Sequence, residues 1–430
     1  MNWPLFIANR LSFSKVPTFS KTIFRLAITA IALSISVMII SWALINGFKK
    51  EISEKIFGFW GHIHITDANI NKALEALPID KHQDFYPKMD TIRSIKYRTE
   101  EVRWFDYNPP EFQQTKGGIR HIQTYVTLPA ILKSKTAQEG IVVKGVGKDF
   151  NWKFLDKYIV SGTNLEKYQG EDRPIILSEQ TATRLSIDVG KKLVLFVAID
   201  QDVVKRVFKV IGLYKTGLEE YDRKIAIAQQ AEVQQMLGWD TTKVAGFEIF
   251  VDELTDLQVI TDYLYYDIVP AKLYIENIRQ KFSSIFDWLD YFDVNGLIIW
   301  VLMTFVAVIC MITTLLIIIL ERTPMIGILK SLGSRDWSIR KIFLINAFHI
   351  ILRGIFYGNF IGLTLCWLQD KFHFVKLSEA DYYISYAPIS FSFSQILTLN
   401  IASILVILLC LIIPTYLVAR IVPVKSMKFR

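Results

Sequence analysis

Cysteine is scarce: Cys310, Cys366 and Cys410 are the only three in 430 residues, and all lie in apolar runs. They read as packing residues, not as a disulfide frame or a thiolate metal centre. No phosphate-binding run of the form G-x-x-x-x-G-K-[ST] occurs. The nearest stretch, GVGK at 145–148, has no Ser or Thr after its lysine and reads as a turn. ATP hydrolysis by this chain is therefore not expected. The one close histidine pair, His62 and His64, alternates along an expected strand without a third ligand nearby, so it reads as a surface pair and no metal is expected. Asp, Glu and Ser show no catalytic spacing, and an enzyme reading has no support.

What the sequence has in abundance is apolar length. With 52% hydrophobic residues and a mean hydropathy of +0.31, it exceeds an ordinary soluble domain. Four spans are expected, at 23–47, 294–320, 342–368 and 396–419. The second has 27 nearly uncharged residues, which at ~1.5 Å each reach about 40 Å, enough to cross a bilayer. A basic interfacial segment precedes the first span at 1–22. A basic loop lies between the second and third at 321–341, an external loop at 369–395, and a basic tail at 420–430. Lys and Arg concentrated in these inner segments place both ends inside. The third span carries Gly354, Gly358 and Gly362 at spacings of four, a small-residue stripe that lets another helix approach closely.

Residues 48–293 differ. Their formal charge is −3 against +8 for the whole chain, so the positive charge belongs to the inner segments and nucleic acid is not an expected partner. With one crossing before it, this segment lies outside the cytoplasm. Strands are expected at 61–66, 122–128, 141–146 and 174–177, a capped helix at 178–185, a hairpin from 193–198 and 207–213, and a β-α-β return from 247 to 276. The fold class is an α-helical membrane protein with four spans, N-in and C-in, plus a large extracytoplasmic α+β domain in two lobes between the first two spans.

The basic loop contains the most specific stretch, ERTPMIGILKSLG, from Glu321 to Gly333. Thr323 and Pro324 read as N-cap and first helical residue, and Gly333 as a left-handed stop. Met325, Ile328, Leu329 and Leu332 recur at i, i+3, i+4 and i+7, an apolar stripe on a helix too short to stand alone in water.

Read as E-R-T-x-x-I-G-I-L-x-x-L-G, with Glu321, Arg322, Thr323, Ile326, Gly327, Ile328, Leu329, Leu332 and Gly333 in place, the junction resembles that of the FtsX-like and MacB-like ABC permeases, most closely the Lol-type lipoprotein-releasing permeases. The external runs IILSEQTATRLSIDVGKKLVL and FKVIGLYKTGLEEYD, at 175–195 and 208–222, are also similar to the Lol type, as is the ending around Pro414 and Arg420. The resemblance implies a MacB-like periplasmic core domain and a coupling helix docked on a separate ATPase subunit that uses ATP and magnesium. It further implies a second permease chain, identical or paralogous, in the bacterial inner membrane, with a lipoprotein as substrate. A cargo cavity flanked by the first two spans would, by position, be lined by Met38, Trp42, Ile45, Ile299 and Met303. One departure is the short, proline-free connection at 199–206, where the carrier-recruiting subunit of this type has a proline-bearing hook. A periplasmic carrier then docks elsewhere, or this chain resembles the substrate-binding subunit, or no carrier is used. Two other readings are a regulator of cell-wall hydrolases within the same family and a receptor with an external sensing domain.

Overall fold

The computed structural model describes residues 19–69, 77–99, 111–199, 202–378 and 382–416. Most of the expected interfacial segment, the tip of the 199–206 connection and the basic tail lie outside these. The chain forms two compact units, one of residues 1–51, 288–376 and 386–430, the other of residues 52–287 and 377–385.

Among the described residues, four helices are long and apolar enough to cross a membrane. They are α1 (Phe19–Trp60), α2 (Ser283–Glu321), α4 (Asp336–Phe372) and α5 (Phe393–Thr415), with the short α3 (Thr323–Ser331) between α2 and α4. Two of these helices outrun their apolar stretches. α1 continues past residue 47 because Ile52 and Ile56, four apart, are both fully buried, and it ends where Gly61 adopts a φ of +69°. α2 begins at Ser283, so the aromatic approach to the second span is itself helical.

In the first unit, α1, α2, α4 and α5 share one core that includes Ile31, Ile35, Met311, Phe343, Ile351 and Ile407. Polar ties supplement it. Asn359 of α4 and Asn400 of α5 exchange amide hydrogen bonds of 2.9 and 3.0 Å. Such pairing between apolar helices contributes on the order of 1 kcal/mol. Near the other end of the apolar stretch of α1, Lys49 pairs with Asp293 and lies 3.6 Å from Asp290.

Among the described residues, the second unit is built on fourteen strands. They are β1 (Ile63–Asp67), β2 (Ile79–Asp80), β3 (Lys96–Thr99), β4 (Glu111–Gln114), β5 (Ile119–Lys133), β6 (Gln138–Val146), β7 (Ile159–Gly162), β8 (Pro174–Ser178), β9 (Lys192–Ile199), β10 (Asp202–Tyr214), β11 (Ile225–Gln229), β12 (Lys243–Val244), β13 (Gly246–Val251) and β14 (Leu273–Asn277). Ten of them make one mixed sheet in the order β14-β1-β13-β5-β6-β11-β8-β10-β7, with β9 paired to both β10 and β5.

That last pairing closes β5, β6, β11, β8, β10 and β9 into a ring. Its interior follows from strand alternation: Val126, Leu128, Ala130 and Leu132 of β5 point in and pack on Val143, Ile175, Leu195 and Val210, while Ile131 points out. Two separate lobes are not what forms. The 15-residue β5 serves both halves, pairing β13 through residues 119–125 and β6 and β9 beyond.

Candidate functional site

The short helix α3 forms over the segment singled out by motif, with two differences in detail. Its N-cap position is Arg322, without a side-chain cap. The Thr323 hydroxyl instead donates to the carbonyls of Leu320 (2.7 Å) and Ile319 (3.2 Å). The cause is continuity. Arg322 N–H still bonds to Ile318 O, and Ile326 N–H bonds to Arg322 O, so the chain passes from α2 to α3 with little break and the nearest acceptors for the hydroxyl are the last carbonyls of α2. Pro324 falls in the first turn of α3. At the far end Gly333 has a φ of +85°, Gly333 N–H bonds to Lys330 O and Ser334 N–H bonds to Leu329 O, a Schellman stop.

The second difference concerns the stripe. Met325 and Leu329 lean on the helix-bundle core, around Ile326, which is fully buried. Ile328 and Leu332 are 52% and 77% exposed. The four residues expected on one face therefore divide: part of the stripe fastens α3 to its own bundle, and the apolar surface left over is Ile328 and Leu332. Trp337, in the first turn of α4, is also exposed. Glu321 is exposed, and Lys330 is held 3.0 Å from Asp336.

The glycine stripe of α4 faces α1. A Cβ at Gly354 would lie 2.6 Å from Ile31 Cγ2, one at Gly358 would lie 2.8 Å from Ala32 O, and one at Gly362 would lie 3.2 Å from Ser36 Cα. At Gly354 and Gly358 these spacings leave no room for a side chain, and at Gly362 the contact would be tight. The five residues suggested for a cargo cavity are not equivalent. Met38 and Ile45 are buried, Met38 beside Ser403 and Ile45 against Gly296, where an added Cβ would lie 2.9 Å from it. Trp42, Ile299 and Met303 are half-buried, and the Trp42 indole N–H is enclosed without an acceptor among the described residues.

A polar cluster in the second unit escaped the sequence reading. Lys144 and Glu248 are almost completely buried and paired at 2.6 Å, Gln123 donates to the other Glu248 oxygen at 2.6 Å, and the Lys144 ammonium also donates to Phe59 O. Rings of Trp60 and Tyr125 lie 4.8 and 5.5 Å from that ammonium. Burial pushes the Lys144 pKa down, and Glu248 pulls it back up.

Beside this pair, His62 and His64 are buried too, so the expected surface pair is corrected: apolar neighbours in IHI carry them inside. His64 donates through Nε2 to Trp60 O and accepts from Lys281 at 2.8 Å. His62 Nδ1 accepts from Val251 N–H at 2.8 Å. Burial, then the Arg120 charge, lowers the His62 pKa to about 3; burial, then Lys281, puts that of His64 well below its usual value.

Together Lys144 and His64 occupy the last carbonyls of α1, which a helix end otherwise leaves unpaired. The signal for the cluster was a lysine and a glutamate inside runs that are otherwise apolar, IVVKGV and GFEIFV. Among the described residues no three His, Cys, Asp or Glu gather as a metal site.

Comparison with known proteins agrees with this architecture. Residues 25–256 match the model of the MacB-like periplasmic core domain, and residues 297–423 that of the FtsX-like permease C-terminal region. The lipoprotein-releasing system transmembrane protein LolE of Haemophilus influenzae is 22% identical over 454 residues, covering 99% of both chains. LolC of Neisseria meningitidis serogroup B, from the same kind of system, is 22% identical across 86% of this chain and 85% of its own. The ABC transporter permease YtrF of Bacillus subtilis is 21% identical over 38% of each chain. The chain thus belongs to the family of ABC-type membrane permeases that join a MacB-like periplasmic core domain to an FtsX-like permease region.

Proposed function

We propose that this chain is the permease subunit of an inner-membrane complex that releases lipoproteins, driven by a separate ATPase. The observation that carries the reading is the end-to-end match to the Haemophilus LolE permease, joined to an α3 that presents Ile328 and Leu332 between two apolar helices. Both chain ends and α3 face the cytoplasm, and residues 48–293 face the periplasm. Two permease chains, identical or paralogous, sit on two ATPase subunits, which bind ATP and magnesium.

Closure of the ATPase pair pushes on Ile328 and Leu332. Because Thr323 is bonded back to α2, the displacement passes into that helix, which leads toward the periplasmic domain. Residues 321–333 act as the coupling element, and Met38, Trp42, Ile45, Ile299 and Met303 border the path of the cargo. Met38 and Ile45 reach it only when the helices around α1 rearrange, since Met38 is buried beside Ser403 of α5 and Ile45 against Gly296 of α2. A soluble carrier, if used, docks away from the short β9–β10 connection.

The test is release of a radiolabelled lipoprotein from vesicles holding this chain and its ATPase. ATP-dependent appearance of label in the soluble fraction supports the reading. ATP turnover without release, accompanied by activation of a cell-wall hydrolase, moves the assignment to regulation.

A further inference from the structure

A cavity of about 490 Å³ in the second unit lies beside the last turns of α1. Three cations, Arg120, Lys153 and Lys157, stand on its wall with two carboxylates, Glu54 and Asp252, and its apolar surface includes the rings of Phe57, Phe154 and Phe250. Gly58 makes this wall possible, since a side chain there would occupy the position of the Phe154 ring. The deepest polar group is His62, 5% exposed. Its Nδ1 accepts from Val251 N–H, so the neutral ring carries its proton on Nε2, which has no hydrogen-bond partner among the described residues. One Asp252 oxygen accepts from Gly118 N–H at 3.2 Å.

We propose that this cavity binds a phosphate ester that carries an amine, the headgroup chemistry of an amine phospholipid. Three cations and a neutral N–H donor suit a phosphate, whose oxygens accept several charge-assisted hydrogen bonds. Two carboxylates on the same wall oppose a bare anion but suit an ammonium group two carbons away from the phosphate. The aromatic rings give the glycerol and first acyl carbons an apolar contact, and the volume lies within the ordinary range for small-molecule sites. This assignment does not depend on the release activity. It concerns a cavity lined by residues of the second unit, none of which belongs to α3 or to the five residues suggested for the cargo path.

The test is isothermal titration of the full chain in a mild detergent with short-chain phosphatidylethanolamine, O-phosphoethanolamine and inorganic phosphate. Saturable binding of the phosphoamine probes is expected, weakened at least tenfold by Arg120→Glu with Lys157→Glu. Glu54→Lys should weaken the phosphoamines while strengthening inorganic phosphate. A tenfold advantage of the lipid over O-phosphoethanolamine identifies a lipid as the natural source; equal affinities identify a soluble phosphoamine. Inorganic phosphate bound as tightly as either, or unchanged binding in the charge-reversed variant at an unchanged melting temperature, overturns the proposal. If the charge-reversed pair fails to fold, Arg120→Gln alone serves, with at least a threefold loss expected and an unchanged affinity counting against the site.

Discussion

His62 and Lys144 carry the sharpest residue-scale consequences, because each is a titratable group enclosed where charge is costly. The His62 pKa is lowered from 6.5 to about 3. Its unfolded form takes up a proton below pH 6.5 that the folded form refuses until about pH 3, so stability is whole above pH 6.5 and falls as acid is added. At pH 5 this one histidine costs roughly 2 kcal/mol. His64 shifts in the same direction and steepens the slope. Urea midpoints in detergent are expected to fall between pH 7 and pH 5. His62→Asn, which keeps an acceptor for Val251 N–H, should remove part of that slope; an unchanged slope would contradict the assignment. Lys144→Met removes one partner of a buried ion pair and leaves Glu248 charged and enclosed, a loss of about 3–5 kcal/mol. Lys144→Met with Glu248→Gln should restore much of it, as chemical denaturation can check.

At the scale of elements, α3 shows what a sequence pattern does and does not disclose. Its existence, its Pro324 start and its Gly333 stop were legible because capping and left-handed backbone are local chemistry. The division of its stripe was not, since spacing cannot say that Met325 and Leu329 spend their apolar surface on the neighbouring bundle while Ile328 and Leu332 keep theirs free. Thr323 misled for a related reason: its cap role presumes a chain leaving helical geometry, and here α2 runs nearly into α3. Accordingly, Leu329→Asp should lower the melting temperature of the purified chain, whereas Leu332→Asp should leave it within a degree or two. The α4 stripe makes a parallel prediction. Gly358→Leu would drive a side chain into Ile35 and the Ala32 carbonyl, so solubilised protein should melt several degrees lower and aggregate sooner; wild-type melting would mean α1 and α4 do not pack as described.

For the whole molecule, the division into apolar helices and a mixed α and β domain was readable from composition and periodicity, and the motif in the basic loop pointed to the family. The closed six-strand ring was not readable, because closure rests on three residue pairs between β9 and β5, Ile131 with Phe196, Leu132 with Leu195 and Lys133 with Val194, which lie more than 60 residues apart in the chain. Nor was the fastening of the α1 end by Lys144 and His64, which requires β1, β6 and β13 to be in place. If α3 is where an ATPase pushes, the exposed pair Ile328 and Leu332 is the contact, and a charge there should break it without disturbing the fold. The most direct measurement is affinity purification of the wild-type chain and of Leu332→Asp in mild detergent, followed by mass spectrometry of what co-elutes. An ATP-binding subunit retained by the wild type and lost from the variant, at equal melting temperature, is the predicted result; the same subunit recovered with the variant at wild-type yield would contradict the docking role.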